Sequence, residues 1–265
     1  MKYILAIAGS DSCGGAGIQA DIKTVTSLDA HALTVITAVT AQNSQSVAAI
    51  HEVPAGMISK QLETILDDVR PDAVKIGMLY TRAAIEAVIK VVERHHLPHV
   101  VVDPILMSST GRRLLEAEAI PIMKEELFPL AKAVTPNLYE AGVLAGLQVK
   151  SLRNMEEAAR VIKRMGPDVV ITGGHLEDHC TDLLYDGTLF HRYSDTKIHT
   201  KHTHGSGCVF STALATMLAA EGDVASATKK AHNLTRYAIM NGYPCGHGAG
   251  PVRSSLGTER ASISS

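Results

Sequence analysis

Residues 201–214, Lys-His-Thr-His-Gly-Ser-Gly-Cys-Val-Phe-Ser-Thr-Ala-Leu, hold the densest chemistry in the chain. Gly205 and Gly207 bracket Ser206, and Cys208 opens a small, apolar run to about Ala220 that reads as a buried helix. A glycine-rich turn entering a helix aims several backbone N–H groups at one point, and the helix dipole adds partial positive charge there. Without Cβ atoms in the way, an anion can come close. A thiol in the first turn of such a helix is expected to have a lowered pKa. The turn therefore reads either as an anion cradle with an activatable thiol or as a plain junction with a structural cysteine, since free cysteines are often simply buried.

Other polar positions fall at the ends of apolar runs. Tyr3–Ala8 reads as a strand buried on both faces. It leads into Gly9-Ser10-Asp11-Ser12-Cys13-Gly14-Gly15-Ala16-Gly17. Gly15 and Ala16 stand where a Walker-A loop needs Lys and Ser/Thr, and the Rossmann spacing is absent, so neither phosphate loop is present. A helix from Ile18 carries Asp21, which is either a solvated carboxylate or one facing a ligand. Just past strand 31–40 lies Gln42, whose amide can donate and accept along a heteroaromatic edge. Strand 73–79 has Gly77 and Met78 near its end, and strand 100–105 has Asp103 and Ile105 at its end. After strand 133–137, Asn137 and Glu140 fit a capping box; the alternative is that Glu140 holds a Mg²⁺-bound water. Strand 168–175 exits through Gly173-Gly174-His175, and Asp186-Gly187 reads as a hairpin turn.

Helices are expected over 54–68, 81–96, 116–128, 153–166 and 223–241, with a frayed tail from about 254. Strands alternating with helices predict a single α/β domain over 1–265, with a mostly parallel sheet covered on both faces. The 265 residues carry net charge −2 and 4% aromatics, which excludes a basic nucleic-acid footprint and base-stacking platforms. Cys13, Cys180, Cys208 and Cys245 form no CxxC, and no apolar run reaches about 18 residues, so a reduced cytoplasmic protein without a membrane span is expected. Metal binding by His179-Cys180, or by His202, His204 and Cys208, lacks paired ligand spacing.

Taken jointly and in order, these stretches resemble the ribokinase superfamily, and within it the hydroxymethylpyrimidine/phosphomethylpyrimidine kinases of thiamin biosynthesis. The matching pieces are Ala8–Asp11 with Gly14–Asp21, Thr40–Asn43, Lys75–Met78, Val102–Pro104, Thr135–Glu140, Gly173–His175, Thr203–Cys208 and Gly248–Val252. The resemblance implies a ribokinase-like fold and ATP-dependent phosphorylation of a pyrimidine hydroxymethyl group, then of the monophosphate. It implies that Gly205, Ser206, Gly207 and Cys208 form the anion hole, with Cys208 beside the substrate hydroxyl. Asp21 and Gln42 would grip the pyrimidine edge, and Gly9, Met78 and Ile105 would line its ring. Asn137 and Glu140 would order Mg²⁺ and phosphate, and ATP would lie near Thr172, Gly174 and His204, with adenine toward the 223–241 helix and the 246–251 tail. A monovalent cation is a further candidate cofactor, and a homodimer is the expected assembly. Thr172 stands where many such kinases carry a phosphate-contacting lysine, and Lys201 is the nearest basic residue in sequence. Rival readings are a pyridoxal kinase and a non-catalytic ligand-binding protein on the same fold.

Overall fold

The computed structural model describes residues 1–174 and 179–255. His175 and the tail from 256 lie outside the described residues. One nine-stranded sheet has the order β3-β2-β1-β4-β5-β6-β7-β8-β9. Its parallel centre comprises β1 (Tyr3–Asp11), β2 (His31–Gln42), β4 (Ala73–Ile76), β5 (Val100–Val102), β6 (Ala133–Val134) and β7 (Asp168–Ile171). Antiparallel strands close both edges: β3 (Val47–Glu52) on β2, and the hairpin β8 (His179–Tyr185) and β9 (Phe190–Thr196) on β7.

The central strands are apolar throughout because both faces are covered. Val74, Ile76, Val100, Val102, Val134, Val169 and Ile171 pack into one core, whereas Ala73, Val101, Ala133 and Val170 pack into the other. The first face carries α2 (Ala55–Leu66), α3 (Arg82–His95), α5 (Leu138–Ala145) and α6 (Leu152–Lys163). The second carries α7 (Ser206–Glu221) and α8 (Val224–Met240), with α1 (Gly17–Ser27) packed on α7. Ten residues of α7 are buried, so it is the central helix of that layer.

Between Ala117 and Leu130 the expected helix breaks into a 3₁₀ turn, one α turn called α4 (Ile120–Ile122), a π turn and another 3₁₀ turn. Pro121 and Pro129 lack the N–H that a continuous ladder needs. At the other end of the described chain, Ser254, expected to fray, is buried, and its carbonyl accepts from Ser27 Oγ at 3.5 Å.

Candidate active site

A cavity of about 1150 Å³ runs along the C-terminal edge of the sheet, where ligands sit in open α/β folds. Sheet order sets the order of its lining. Gly9, Gln42, Met78 and Ile105 come from or just beyond β1, β2, β4 and β5. Asp103, Thr135, Asn137 and Glu140 follow from β5 and β6. Thr172, Gly174, Cys180, Lys197 and Ile198 follow from β7 to β9, with Arg236 and Ile239 from α8. The turn His204–Cys208 also lines the cavity. The structure thus brings together every expected site residue except Asp21 and Lys201. Among the described residues, Lys150, Lys197 and Arg236 are the lysine and arginine side chains lining the cavity.

The turn is built by glycine. Gly205 caps α7 with φ +84°, and a Cβ there would sit 1.9 Å from the Gly15 carbonyl oxygen. Ser206 N–H is already taken by the Thr203 carbonyl at 3.2 Å. The first-turn N–H groups of Gly207 and Cys208 have no intrahelical acceptor, so they, rather than Ser206, face an incoming anion.

His204 steadies this turn. Its Nε2 lies 2.9 Å from Asp11 Oδ2, and its backbone pairs with Gly250 and Val252. Asp11 also accepts from the N–H groups of Cys13, Gly15 and Ala16. Burial works against its charge, but His204 and the N–H donors outweigh it and hold Asp11 below the usual carboxylate range. His204, expected beside ATP, lines the cavity and also joins the two glycine-rich loops through Asp11.

Behind the turn lies a buried charge cluster that the sequence did not disclose. Lys75 on β4 and Asp21 on α1, both without exposed surface, pair at 2.9 and 3.0 Å. Thr212 on α7 donates to Asp21 at 2.7 Å, and its neighbour Ser211 donates to Asp103 at 3.0 Å. Burial acts to lower the Lys75 pKa, but the Asp21 charge more than reverses this, so the ammonium is held charged. Gly77 leaves room for it, since a Cβ there would lie 2.8 Å from Lys75 Nζ. Asp21 is corrected accordingly: both its oxygens face Lys75 inside the protein, and it does not reach the cavity where a pyrimidine edge would lie. A lone lysine inside an apolar strand run was the available signal for such a partner.

Cys208 needs a second correction. Burial pushes its thiol up to about 12, with the charges of Asp21 and Asp103 adding to the rise. Lys75 and a hydrogen bond from Gly17 N–H oppose it without prevailing. The direction is opposite to the lowering expected from the helix terminus, because the thiol is buried beside two carboxylates.

Asn137 and Glu140 form the full capping box of α5, with Asn137 Oδ1 accepting from Glu140 N–H and Glu140 Oε2 accepting from Asn137 N–H. Glu140 Oε1 also accepts from Leu106 N–H at 3.3 Å. Capping does not remove the pair from the site, because both residues line the cavity. Burial, then the charge of Asp103, pushes Glu140 up; burial pushes Asp103 up as well. Two carboxylates whose charges burial makes costly suit a hard cation arriving with phosphates. No cluster of three or more metal-ligating side chains exists among the described residues, so a magnesium ion there would rely on the nucleotide for further ligands. Thr172 bridges Asn137 across adjacent strand ends.

Among the described residues no helix is long and apolar enough to cross a membrane. Residues 11–253 match the phosphomethylpyrimidine kinase family model. The hydroxymethylpyrimidine/phosphomethylpyrimidine kinase of Bacillus subtilis is 42% identical, over 97% of this chain and 98% of its own length. The thiamine biosynthesis bifunctional protein of Geobacter sulfurreducens is 42% identical over 97% of this chain, which spans 53% of that longer protein. Among solved structures, the ADP complex of Bacillus subtilis pyridoxal kinase superposes with a TM-score of 0.90 at 37% identity, covering 96% of this chain and 97% of that one. The fold, the glycine-built turn and this match over nearly the whole chain agree: the chain belongs to the phosphomethylpyrimidine kinase family.

Proposed function

We propose that the chain transfers the γ-phosphoryl group of ATP to the hydroxymethyl oxygen of hydroxymethylpyrimidine, and then phosphorylates the monophosphate. The observation that carries this reading is one continuous cavity of about 1150 Å³ whose lining includes Gly9, Gln42, Met78 and Ile105 from the β1–β5 side, Ile198, Arg236 and Ile239 from the β9 and α8 side, and the Gly205–Cys208 turn. The substrate oxygen forms its bond to the γ-phosphorus as the bond to the bridging oxygen of ADP breaks. Charge gathers on the equatorial oxygens, and the N–H groups of Gly207 and Cys208 stabilise it, with the α7 dipole behind them. Asp103 and Glu140 would hold magnesium, which when bound neutralises phosphate charge. Because the transition state is loose, little basicity is required. Cys208 accordingly orients the hydroxyl as a neutral thiol, and the alcohol proton leaves with the phosphoryl product or to water. The amide of Gln42 reads the ring edge, and Gly9 allows Met78 to lie close, since a Cβ there would meet Met78 Sδ at 2.9 Å.

Mass spectrometry of a mixture with ATP, Mg²⁺ and hydroxymethylpyrimidine should find the monophosphate and then the diphosphate. ATP hydrolysis indifferent to the pyrimidine would overturn the reading. The TM-score of 0.90 to a pyridoxal kinase supports a second reading, transfer to the hydroxymethyl group of a pyridine ring at the same site. Cytoplasmic placement and a homodimer remain part of the proposal, as they suit a small-molecule kinase with no membrane-spanning helix among its described residues.

A further inference from the structure

Asp182 on β8, Asp195 on β9, and His232 and Arg236 on α8 form a chain of polar contacts between the edge hairpin and the helix. It starts at the exit of β7, where Asp182 Oδ1 accepts from Gly173 N–H at 2.9 Å. The other Asp182 oxygen lies 2.7 Å from His232 Nδ1, and His232 Nε2 lies 3.1 Å from Asp195 Oδ2. The same Asp195 oxygen lies 3.1 Å from Arg236 Nε, and Arg236 Nη1 donates to the Thr196 carbonyl at 2.8 Å. Asp182 and His232 are buried, whereas Arg236 stands at the cavity wall. Burial works against the His232 proton, but Asp182 and Asp195 outweigh it. Two carboxylates then meet two cations, and Asp195 is shared between them instead of belonging to Arg236 alone. The contacts of Arg236 take two of the five N–H groups of a guanidinium and fix its plane. A planar fork held in this way is suited to phosphate oxygens.

Thr172, next to Gly173 at the start of this chain of contacts, cannot supply the positive charge of a lysine. Arg236 and Ile239 are three residues apart on α8, so they share a face of the helix, and both line the cavity. Ile239 offers an apolar surface for a base. Arg236, one turn nearer the start of α8 and tied to the ends of β9 and β7, offers charge. We propose that Arg236 binds the α- and β-phosphates of the nucleotide in place of a lysine at Thr172, with Asp195, His232 and Asp182 as its positioning residues. The assignment rests on the kinase reading above.

The test titrates ADP, and separately adenosine, into the full chain by calorimetry with Mg²⁺ present. Arg236→Met should weaken ADP binding at least about tenfold through the loss of charge-assisted hydrogen bonds, and should leave adenosine binding unchanged. Arg236→Lys should recover only part of the ADP affinity, because a point charge replaces the fork. In turnover assays His232→Gln should raise KM for ATP several-fold with kcat nearly unchanged, the mark of lost ground-state binding. Equal ADP affinity in the wild type and Arg236→Met, or parallel losses of ADP and adenosine, overturns the phosphate contact. An unchanged KM for ATP in His232→Gln overturns the positioning role. The titration needs no alcohol substrate, so its failure is distinct from failure of the kinase assignment.

Discussion

Replacing Gly207 by Ala separates the turn's chemistry from its structural role. Gly207 is the second residue of α7, its φ is not positive, and an added Cβ meets no protein atom within 4 Å. Alanine is favoured over glycine inside a helix by about 1 kcal/mol, so the variant should melt roughly 2–4 °C higher. Gly207 nevertheless lines the cavity. An oxygen seated on its N–H would lie about 2.9 Å from the nitrogen, and the new methyl projects beside that seat. Displacing the phosphoryl group from one such donor should lower kcat about 100-fold. Gly205→Ala is the contrasting case: at φ +84° and with 1.9 Å to the Gly15 carbonyl oxygen, it should lose stability and turnover together. The assays are thermal melting and pyrimidine-dependent ADP release. A Gly207→Ala protein with raised stability and unchanged kcat would refute the assignment of the γ-phosphoryl group to this turn.

Gln42→Leu should raise KM for hydroxymethylpyrimidine at least about tenfold, the cost of losing one ring-edge hydrogen bond, while leaving KM for ATP nearly unchanged; equal effects on both would place Gln42 outside the ring end. Cys208→Ala should keep pyrimidine binding by calorimetry and lose most turnover through misplacement of the hydroxyl, about 100-fold; unchanged turnover would remove the thiol from the mechanism. Lys75→Met should destabilise by about 3–5 kcal/mol because Asp21 is left charged and unpaired, and Lys75→Met with Asp21→Leu should recover much of that in denaturant melts; a stable single variant would contradict the buried pair. His232 on α8 lies 2.7 Å from Asp182 and 3.1 Å from Asp195. Burial works against its proton, but the two carboxylates outweigh it and raise its pKa. With the folded value above the unfolded one of about 6.5, its stabilisation is full below that pH and is lost as pH rises through the folded value. The stability gap between the wild type and His232→Gln should therefore shrink from pH 6 to pH 9, and a constant gap would refute the charged state.

Much of the scaffold was legible because the central strands are short, β-branched apolar runs ending in glycine or polar turns, and such runs suit strands buried on both faces. Strand β3 was missed because Val47 is its one buried residue and most of the others are exposed, so no alternation marks it. The cavity wall was also legible, since ligand residues in this architecture follow strand ends. What the sequence withheld was the environment beneath the turn. Asp21 was read as a solvated carboxylate or a ligand contact, and it is neither, because its partner Lys75 lies on a strand distant in sequence. The sign of the Cys208 shift was misjudged for a related reason: a helix terminus is local, but the burial and the two carboxylates that outweigh it come from α1 and β5. Asn137 and Glu140 were read as either a capping box or a phosphate site; the geometry shows the capping box, in a pair that also lines the cavity.

The most direct test of the central claim compares kcat/KM for hydroxymethylpyrimidine, its monophosphate and pyridoxal, side by side with ATP and Mg²⁺. The account predicts turnover of both pyrimidines, with hydroxymethylpyrimidine favoured over pyridoxal by at least about tenfold, equivalent to roughly 1.4 kcal/mol of transition-state discrimination. A preference for pyridoxal, or ATP consumption that no added alcohol stimulates, would contradict it.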